Sequence, residues 1–337
     1  MRRFSIADCR LRMRRTAIRL VAFALVLFSV PIASHAQQGG RVYRLGILRP
    51  TAPLSTDDEA RISAALGDLG YVDGQNLVVE RRYAQGKMDR LPELARELVR
   101  ARVDAIVAVS ATAVRAAKGA TTTIPIIMWG LFDPVSEGLV ASLARPGTNV
   151  TGALIAADGT LAAKRLELLR ESVPRAPGIA ALFDNASLRA QVDETQRAAK
   201  SLGITLTITE VQGGDYESAF ASMAAARPSA LFVAGSTFFF RDRKRIIELA
   251  AKHRLPAIYE WPEQARDGGL MAYGTDLQEG YRRVGSYIDR VLKGAKPGDL
   301  PVEQPTKFAL VINLRTAKAL GLAIPQSLLQ RADEVIR

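Results

Sequence analysis

Between residues 42 and 143, short apolar runs alternate with longer stretches whose apolar residues recur every three or four positions. Val42–Leu48, Leu77–Arg82, Asp104–Val109 and Ile124–Trp129 read as strands. Asp58–Leu69, Leu91–Arg100, Thr112–Ala117 and Val135–Leu143 have helical spacing. This alternation predicts parallel βαβ units. Most of these strand runs are apolar at consecutive positions rather than at every second residue, as strands covered on both faces require, and Leu77–Arg82, which ends Glu80-Arg81-Arg82, departs from this. The rhythm restarts after Thr151-Gly152. Helices are predicted at Leu161–Val173, Leu188–Leu202, Tyr216–Ala226 and Arg243–His253, with strands at Ile179–Phe183, Thr205–Ile208, Ala230–Val233 and Ala257–Tyr259. A last long helix, Leu277–Leu292, ends at Gly294. A Gly- and Pro-rich connector, Gly294–Pro305, leads to a strand at Lys307–Asn313 and helices at Leu314–Leu320 and Gln326–Ile336. The predicted class is α/β, in two halves of similar size. Elements beyond the second half predict that the chain crosses between lobes more than once. Lobe one is expected at 41–154 plus 275–303, and lobe two at 155–274 plus 304–337.

The first 36 residues do not fit this rhythm. Seven arginines (Arg2, Arg3, Arg10, Arg12, Arg14, Arg15 and Arg19) precede an uncharged run from Leu20 to Ile32. That run is shorter than the roughly 20 apolar residues a membrane span needs. It has the length of a signal-peptide core, and Ser34-His35-Ala36 supplies the small residues of a cleavage site. The expectation is export to the periplasm with cleavage near Ala36. Met13 is an alternative start, and Arg14-Arg15 leaves twin-arginine export open beside the general route. Cys9 precedes the apolar core, so it is not placed to carry a lipid. It is the one cysteine of the chain, so nothing after the leader can form a disulfide or act as a thiol nucleophile.

Losing the leader also changes the charge. The formal net charge of +12 drops to +6 once seven arginines and Asp8 are removed. What remains is scattered. Its densest cluster, Arg241-Asp242-Arg243-Lys244-Arg245, lacks the interleaved aromatics of a base-stacking platform, so no nucleic-acid partner is expected. Catalytic chemistry is sparse as well. His253 is the only histidine beyond the leader, and no nucleophile elbow accompanies it. There is no phosphate loop, no dinucleotide fingerprint and no Cys/His metal set. Neither a cofactor nor a metal is expected, and the chain reads as a binder rather than an enzyme.

In open parallel sheets, ligands bind beyond the C-terminal ends of the strands. Here those ends carry hydroxyls, aromatics and single carboxylates. Ser110, Ala111 and Thr112 follow the third strand, and Ser236 and Thr237 follow a strand of the second half. At helix N-termini such residues offer an anion site, though each hydroxyl would serve equally as a plain helix cap. Asp133, Glu260 and Asp276 are candidates to face a ligand ammonium, and Asn185 adds an amide. Trp129 and Tyr259 could wall an apolar side chain or simply fill the core.

Several segments carry a more specific signal. Asp73-Gly74-Gln75-Asn76, Leu91-Pro92-Glu93-Leu94-Ala95, Thr123-Ile124-Pro125-Ile126, Asp133-Pro134-Val135, Ala144-Arg145-Pro146-Gly147-Thr148-Asn149-Val150-Thr151-Gly152 and Gln304-Pro305-Thr306-Lys307-Phe308 are among them. Together they resemble the ABC transporter substrate-binding family that includes tryptophan- and tyrosine-type binders. The resemblance spans nearly the whole chain after the leader. It implies a type I periplasmic-binding-protein fold, with two Rossmann-like lobes joined by three hinge strands and a solute held between them. Many members have a Gly-rich stretch after the third strand, where this chain reads Val109-Ser110-Ala111-Thr112. The implied role is the extracytoplasmic receptor of an uptake transporter, a monomer that takes a small amphipathic solute such as an amino acid to an inner-membrane permease. The alternative is a sensory module of the same fold, serving a membrane kinase or chemoreceptor.

Overall fold

Burial explains why the apolar runs become strands. Tyr43–Arg49 (β1) is buried from Leu45 onward and Ala105–Val109 (β3) throughout. Each therefore has an apolar layer on both sides. The computed structural model describes residues 41–156, 161–174, 178–184 and 189–337. The leader and Asn185 lie outside the described residues.

The first sheet contains β1, β2 (Leu77–Tyr83), β3, β4 (Ile126–Leu131) and β5 (Val150–Ala156). Its order is β2-β1-β3-β4-β5, with every pair parallel. Helices α1 (Thr56–Gly67), α2 (Leu91–Arg100) and α3 (Ala111–Ala120) connect the strands. Ser55 caps α1 by accepting from the Asp58 amide at 3.2 Å, and Asp57, Asp58 and Glu59 fill its first turn, where the helix dipole favours negative charge.

The second sheet contains β6 (Gly178–Asp184), β7 (Thr205–Val211), β8 (Ala230–Val233), β9 (Ala257–Tyr259), β10 (Met271–Gly274), β11 (Ala309–Asn313) and β12 (Glu334–Ile336). Its order is β12-β11-β10-β9-β8-β6-β7, and only β10 and β11 run antiparallel. Around it lie α4 (Leu161–Ser172), α5 (Arg189–Ser201), α6 (Tyr216–Ala225), α7 (Thr237–Arg241), α8 (Arg243–Lys252), α9 (Pro262–Arg266), α11 (Leu314–Leu320) and α12 (Gln326–Arg331).

Helix α10 (Leu277–Leu292) follows the second sheet in sequence but packs on the first, against α1, β3, β4 and β5. Among its buried residues, Leu277, Gly280, Tyr281, Val284, Ile288 and Val291 form one stripe at helical spacing. The strand residues Leu45, Val107, Ile127 and Trp129 meet this stripe and α1 on one face of the first sheet. Leu48, Ile106, Ala108 and Met128 point the other way, onto α2 and α3. The chain then runs beside β5, where the Leu154 amide donates to the Glu303 carbonyl and the Glu303 amide to the Gly152 carbonyl. It passes back to the second sheet at β11. Three passages thus link the two sheets: after β5, after β10 and after Glu303.

Two sequence readings are corrected. Val135–Leu143 is a set of turns rather than a helix. The Asp133 carboxylate accepts from the Val135 amide at 2.9 Å, the amides of Leu139 and Val140 both donate to the Pro134 carbonyl, and Gly138 has φ +66°. Local side-chain bonds and a left-handed residue displace the helical ladder. The segment Gln326–Ile336 is helical only to Arg331, and Glu334–Ile336 then pairs with β11. The Leu310 amide donates to Asp333 at 2.8 Å, so satisfying the open side of β11 outweighs helix continuation. The strands β5 and β10 and the short helix α9 have no counterpart in the sequence reading, and α7 is anticipated only as a helix N-terminus at Ser236 and Thr237.

Candidate functional site

The C-terminal ends of the two sheets meet at several points among the described residues, three of which fix the geometry. At the first, Arg243 on α8 donates to both carboxylate oxygens of Asp58 on α1, at 2.9 and 3.3 Å, and both residues are buried. At the second, Leu131 at the end of β4 lies against Gly235 just after β8. A Cβ on Gly235 would stand 2.7 Å from Leu131 Cδ2 and 2.7 Å from Glu260 Oε2, so only a glycine lets these groups converge. At the third, the Thr275 hydroxyl donates to the Ile155 carbonyl at 2.6 Å, pinning the second passage to the first.

On the first lobe, Ser110 and Thr112 share a hydrogen bond of 2.9 Å between their hydroxyls. Ser110 caps α3 with φ +88° and ψ 156°. That region belongs almost exclusively to glycine and costs of order 1–3 kcal/mol for other residues. The chain therefore turns here as a Gly-rich loop would, but with a hydroxyl retained. Ala111 is buried beside it and Thr112 is exposed. Asp133, half-buried, closes the turn at Val135. Trp129 points away from these residues into the layer under α10. Its ring centroid is 6.2 Å from that of Tyr281, and a side chain at Gly280 would collide with it. A narrow apolar cavity remains beside Trp129, between the sheet and helices α1 and α10.

The second lobe contributes a denser polar group. Ser236 caps α7 by accepting from the Phe238 amide at 3.1 Å and donates to Asp184 at the end of β6. Thr237 is half-buried in the first turn of that helix. Glu260, which follows β9, is 1% exposed and forms an ion pair at 2.5 Å with Arg165, also 1% exposed. The Arg165 guanidinium lies 4.9 Å above the Phe232 ring. Burial pushes the Glu260 carboxyl upward and Arg165 opposes it. Tyr259 faces the interior of the second sheet, where burial raises its hydroxyl. Asp276 caps α10 by accepting from the Gln278 amide at 2.8 Å and also meets Arg266 at 3.4 Å.

The structure thus places Ser110, Ala111, Thr112, Ser236, Thr237 and Glu260 just beyond the C-terminal ends of β3, β8 and β9, and among them Glu260 lies at the contact with Leu131 of the other lobe. It sets Trp129 and Tyr259 in apolar layers, and Asp133 and Asp276 in local caps. Sequence reasoning missed Arg165, Asp58, Arg243, Glu263 and Gln264. Asp58 opens a helix-spaced run, and Arg165 lies in another, within the segment Lys164-Arg165-Leu166-Glu167-Leu168-Leu169 that also carries the family resemblance, but nothing in the sequence pairs it with Glu260. Buried polar atoms without a hydrogen-bond partner concentrate around the Arg165–Glu260 pair and α9: Arg165 Nε and Nη1, Glu260 Oε2, Trp261 Nε1, both Glu263 oxygens and Gln264 Nε2. Glu263 has Arg266 Nη1 at 3.8 Å, and burial, the largest cause, raises its carboxyl to about 7. Unpaired buried groups carry a free-energy cost that a polar ligand would remove.

Two α/β lobes with strand ends converging on a buried polar junction define a solute-binding protein of the type I periplasmic fold. Residues 56–336 match the family described as ABC transporter substrate binding protein, and the chain belongs to that family. A tyrosine-binding protein of Clostridioides difficile (strain R20291) is 29% identical over 260 residues, 77% of this chain and 74% of that protein. The structure of an ABC domain in complex with L-Trp from Streptococcus pneumoniae aligns with TM-score 0.76 at 26% identity, over 87% of this chain and 99% of that one. A conserved domain protein from Vibrio cholerae shares the fold with TM-score 0.77 at 24% identity, over 88% of this chain and 100% of that one. Substrate-binding proteins of ABC transporters are extracytoplasmic, take a small-molecule ligand to a permease, and are typically non-enzymatic. Among the described residues no helix is long and apolar enough to cross a membrane.

Proposed function

We propose that this chain is the periplasmic amino-acid receptor of an uptake transporter, exported by residues 1–36 with cleavage after Ala36. It works as a monomer and closes lobe one (41–154 plus 275–303) on lobe two (155–274 plus 304–337) around an amino acid with an apolar or aromatic side chain. The observation that carries this reading is the cluster of buried, unpartnered polar atoms beside the lobe junction. The tyrosine-binding relative and the L-Trp complex support the choice of ligand. Ser110, Ala111, Thr112, Ser236, Thr237 and Asn185 would supply hydroxyls, backbone amides and an amide at the strand ends. Glu260 would meet the ammonium. Trp129, Tyr259, Asp133 and Asp276 would support this shell from behind. Closure transmits occupancy only because a ligand that touches both lobes favours the closed state.

A thermal-shift screen of the chain from Gln37 against the common amino acids tests the reading. A ligand at 100 times its dissociation constant stabilises the bound fold by about 2.7 kcal/mol, so L-tyrosine or L-tryptophan should raise Tm by several degrees. A screen that returns only a sugar or a nucleobase sinks the amino-acid assignment. Intact mass of periplasmic material should begin at Gln37.

A further inference from the structure

Glu260 does not stand alone at the junction. Its carboxylate is held at 2.5 Å by Arg165, and neither side chain is more than 1% exposed. Yet Arg165 Nε and Nη1 and Glu260 Oε2 lack hydrogen-bond partners. The two charges are in contact, yet that contact leaves Arg165 Nε without a partner. A guanidinium stacked on Phe232 and a carboxylate under Gly235 are both costly to keep dry, and their mutual attraction alone does not complete their hydrogen bonding. Their cover comes from the other lobe. Glu260 Oε2 and Leu131 Cδ2 flank the same point beside Gly235, so parting the lobes strips Leu131 away and leaves the carboxylate one glycine from the open cleft.

We infer that Arg165 and Glu260 together form the receptor for the ligand's charged groups, with Arg165 taking its carboxylate and Glu260 its ammonium. This inference rests on the amino-acid reading above and narrows it. The pair itself has no net charge, with the Glu194 carboxylate acting on Arg165 from outside it. A zwitterion added to it gives a four-charge cluster that is still neutral and can be enclosed. A lone carboxylate or a lone ammonium would bury one uncompensated charge when the lobes close, which is prohibitive in a dry site. The site therefore selects α-amino acids without net side-chain charge. It rejects their decarboxylated and deaminated analogues even when the side chain is identical.

The test is calorimetric titration of the parent with L-tyrosine, L-tryptophan, tyramine, tryptamine and 3-(4-hydroxyphenyl)propanoate. The parent should bind at least one of the two amino acids, and its amine and deaminated analogues at least 100-fold more weakly. The paired variant Arg165→Met with Glu260→Leu removes both charges without stranding either one. It should keep the parent Tm and lose at least 100-fold in amino-acid affinity. Arg165→Lys should recover part of that loss. Equal affinity of the parent for L-tyrosine and tyramine overturns the inference, and so does a folded paired variant that binds the amino acid as tightly as the parent. Should the paired variant fail to fold, the analogue series on the parent still decides. A parent that binds neither amino acid is a different outcome: the amino-acid reading itself then fails, and this inference falls with it.

Discussion

Gly235 shows how narrow the tolerance is at a single residue. Its missing side chain is the space in which Leu131 of one lobe and Glu260 of the other approach, each 2.7 Å from the Cβ position. Overpacking of this kind costs about 1–3 kcal/mol. Because one of the obstructing groups belongs to the opposite lobe, Gly235→Ala should hinder closure more than folding. Ligand affinity should fall about five- to 150-fold, with little change in the Tm of the ligand-free protein, and calorimetry beside a thermal melt would separate the two effects. Glu263 makes a second residue-scale prediction. Its folded pKa, about 7, lies above the ordinary 4.5 because of burial, so the folded state holds an extra proton between those values. Stability from this group is greatest below pH 4.5 and declines as pH rises to about 7. Glu263→Gln removes the titration, so its Tm should gain on the parent from pH 5 to pH 8. A gap that stays constant with pH would rule out this account. Neither residue stood out in the sequence. Gly235 reads as one of many loop glycines, and Glu263 as a surface carboxylate in an acidic and basic run. Their roles come from what faces them, and those neighbours are distant in the chain.

At the scale of elements, legibility followed length and period. Leu91–Arg100, Leu277–Leu292, Ala230–Val233 and Ala257–Tyr259 were read with their observed boundaries, because each buries a run or stripe that no competing local bond interrupts. The misread pieces are those where a partner elsewhere decides, as β12 needs β11. The ion pair between α1 and α8 is of the same kind. In the sequence Asp58 opens a helix-spaced run and Arg243 sits in a basic cluster, with nothing to join them. Folding buries them together, with Asp267 taking Arg243 Nε at 2.6 Å. Breaking a buried pair on one side costs about 3–5 kcal/mol when the remaining charge stays buried. With lobes that open as proposed, water reaches Arg243, so the cost should appear as opening rather than unfolding. Asp58→Asn should speed ligand release about tenfold or more, and small-angle scattering should show a larger radius of gyration for the ligand-bound variant. Unchanged release and scattering would mean that this pair does not hold the lobes together.

For the whole molecule, the alternating rhythm and its restart near Thr151 made two α/β lobes legible, while the junction between them was not. Periodicity reports which face of an element is covered, not which element covers it. The location of α10 has a consequence for how such a chain matures. The face of the first sheet that carries Leu45, Val107 and Trp129 is closed by a helix that begins only at Leu277. All of the strands from β6 to β10 come between β5 and that helix. A chain emerging N-terminus first therefore holds its first sheet half-clothed until most of the second has appeared. The closing step spans a long loop, which slows folding and leaves apolar surface open to aggregation meanwhile. The first lobe waits for a helix made only after five strands of the second sheet, so holding factors at the exit side of the membrane would find their target there.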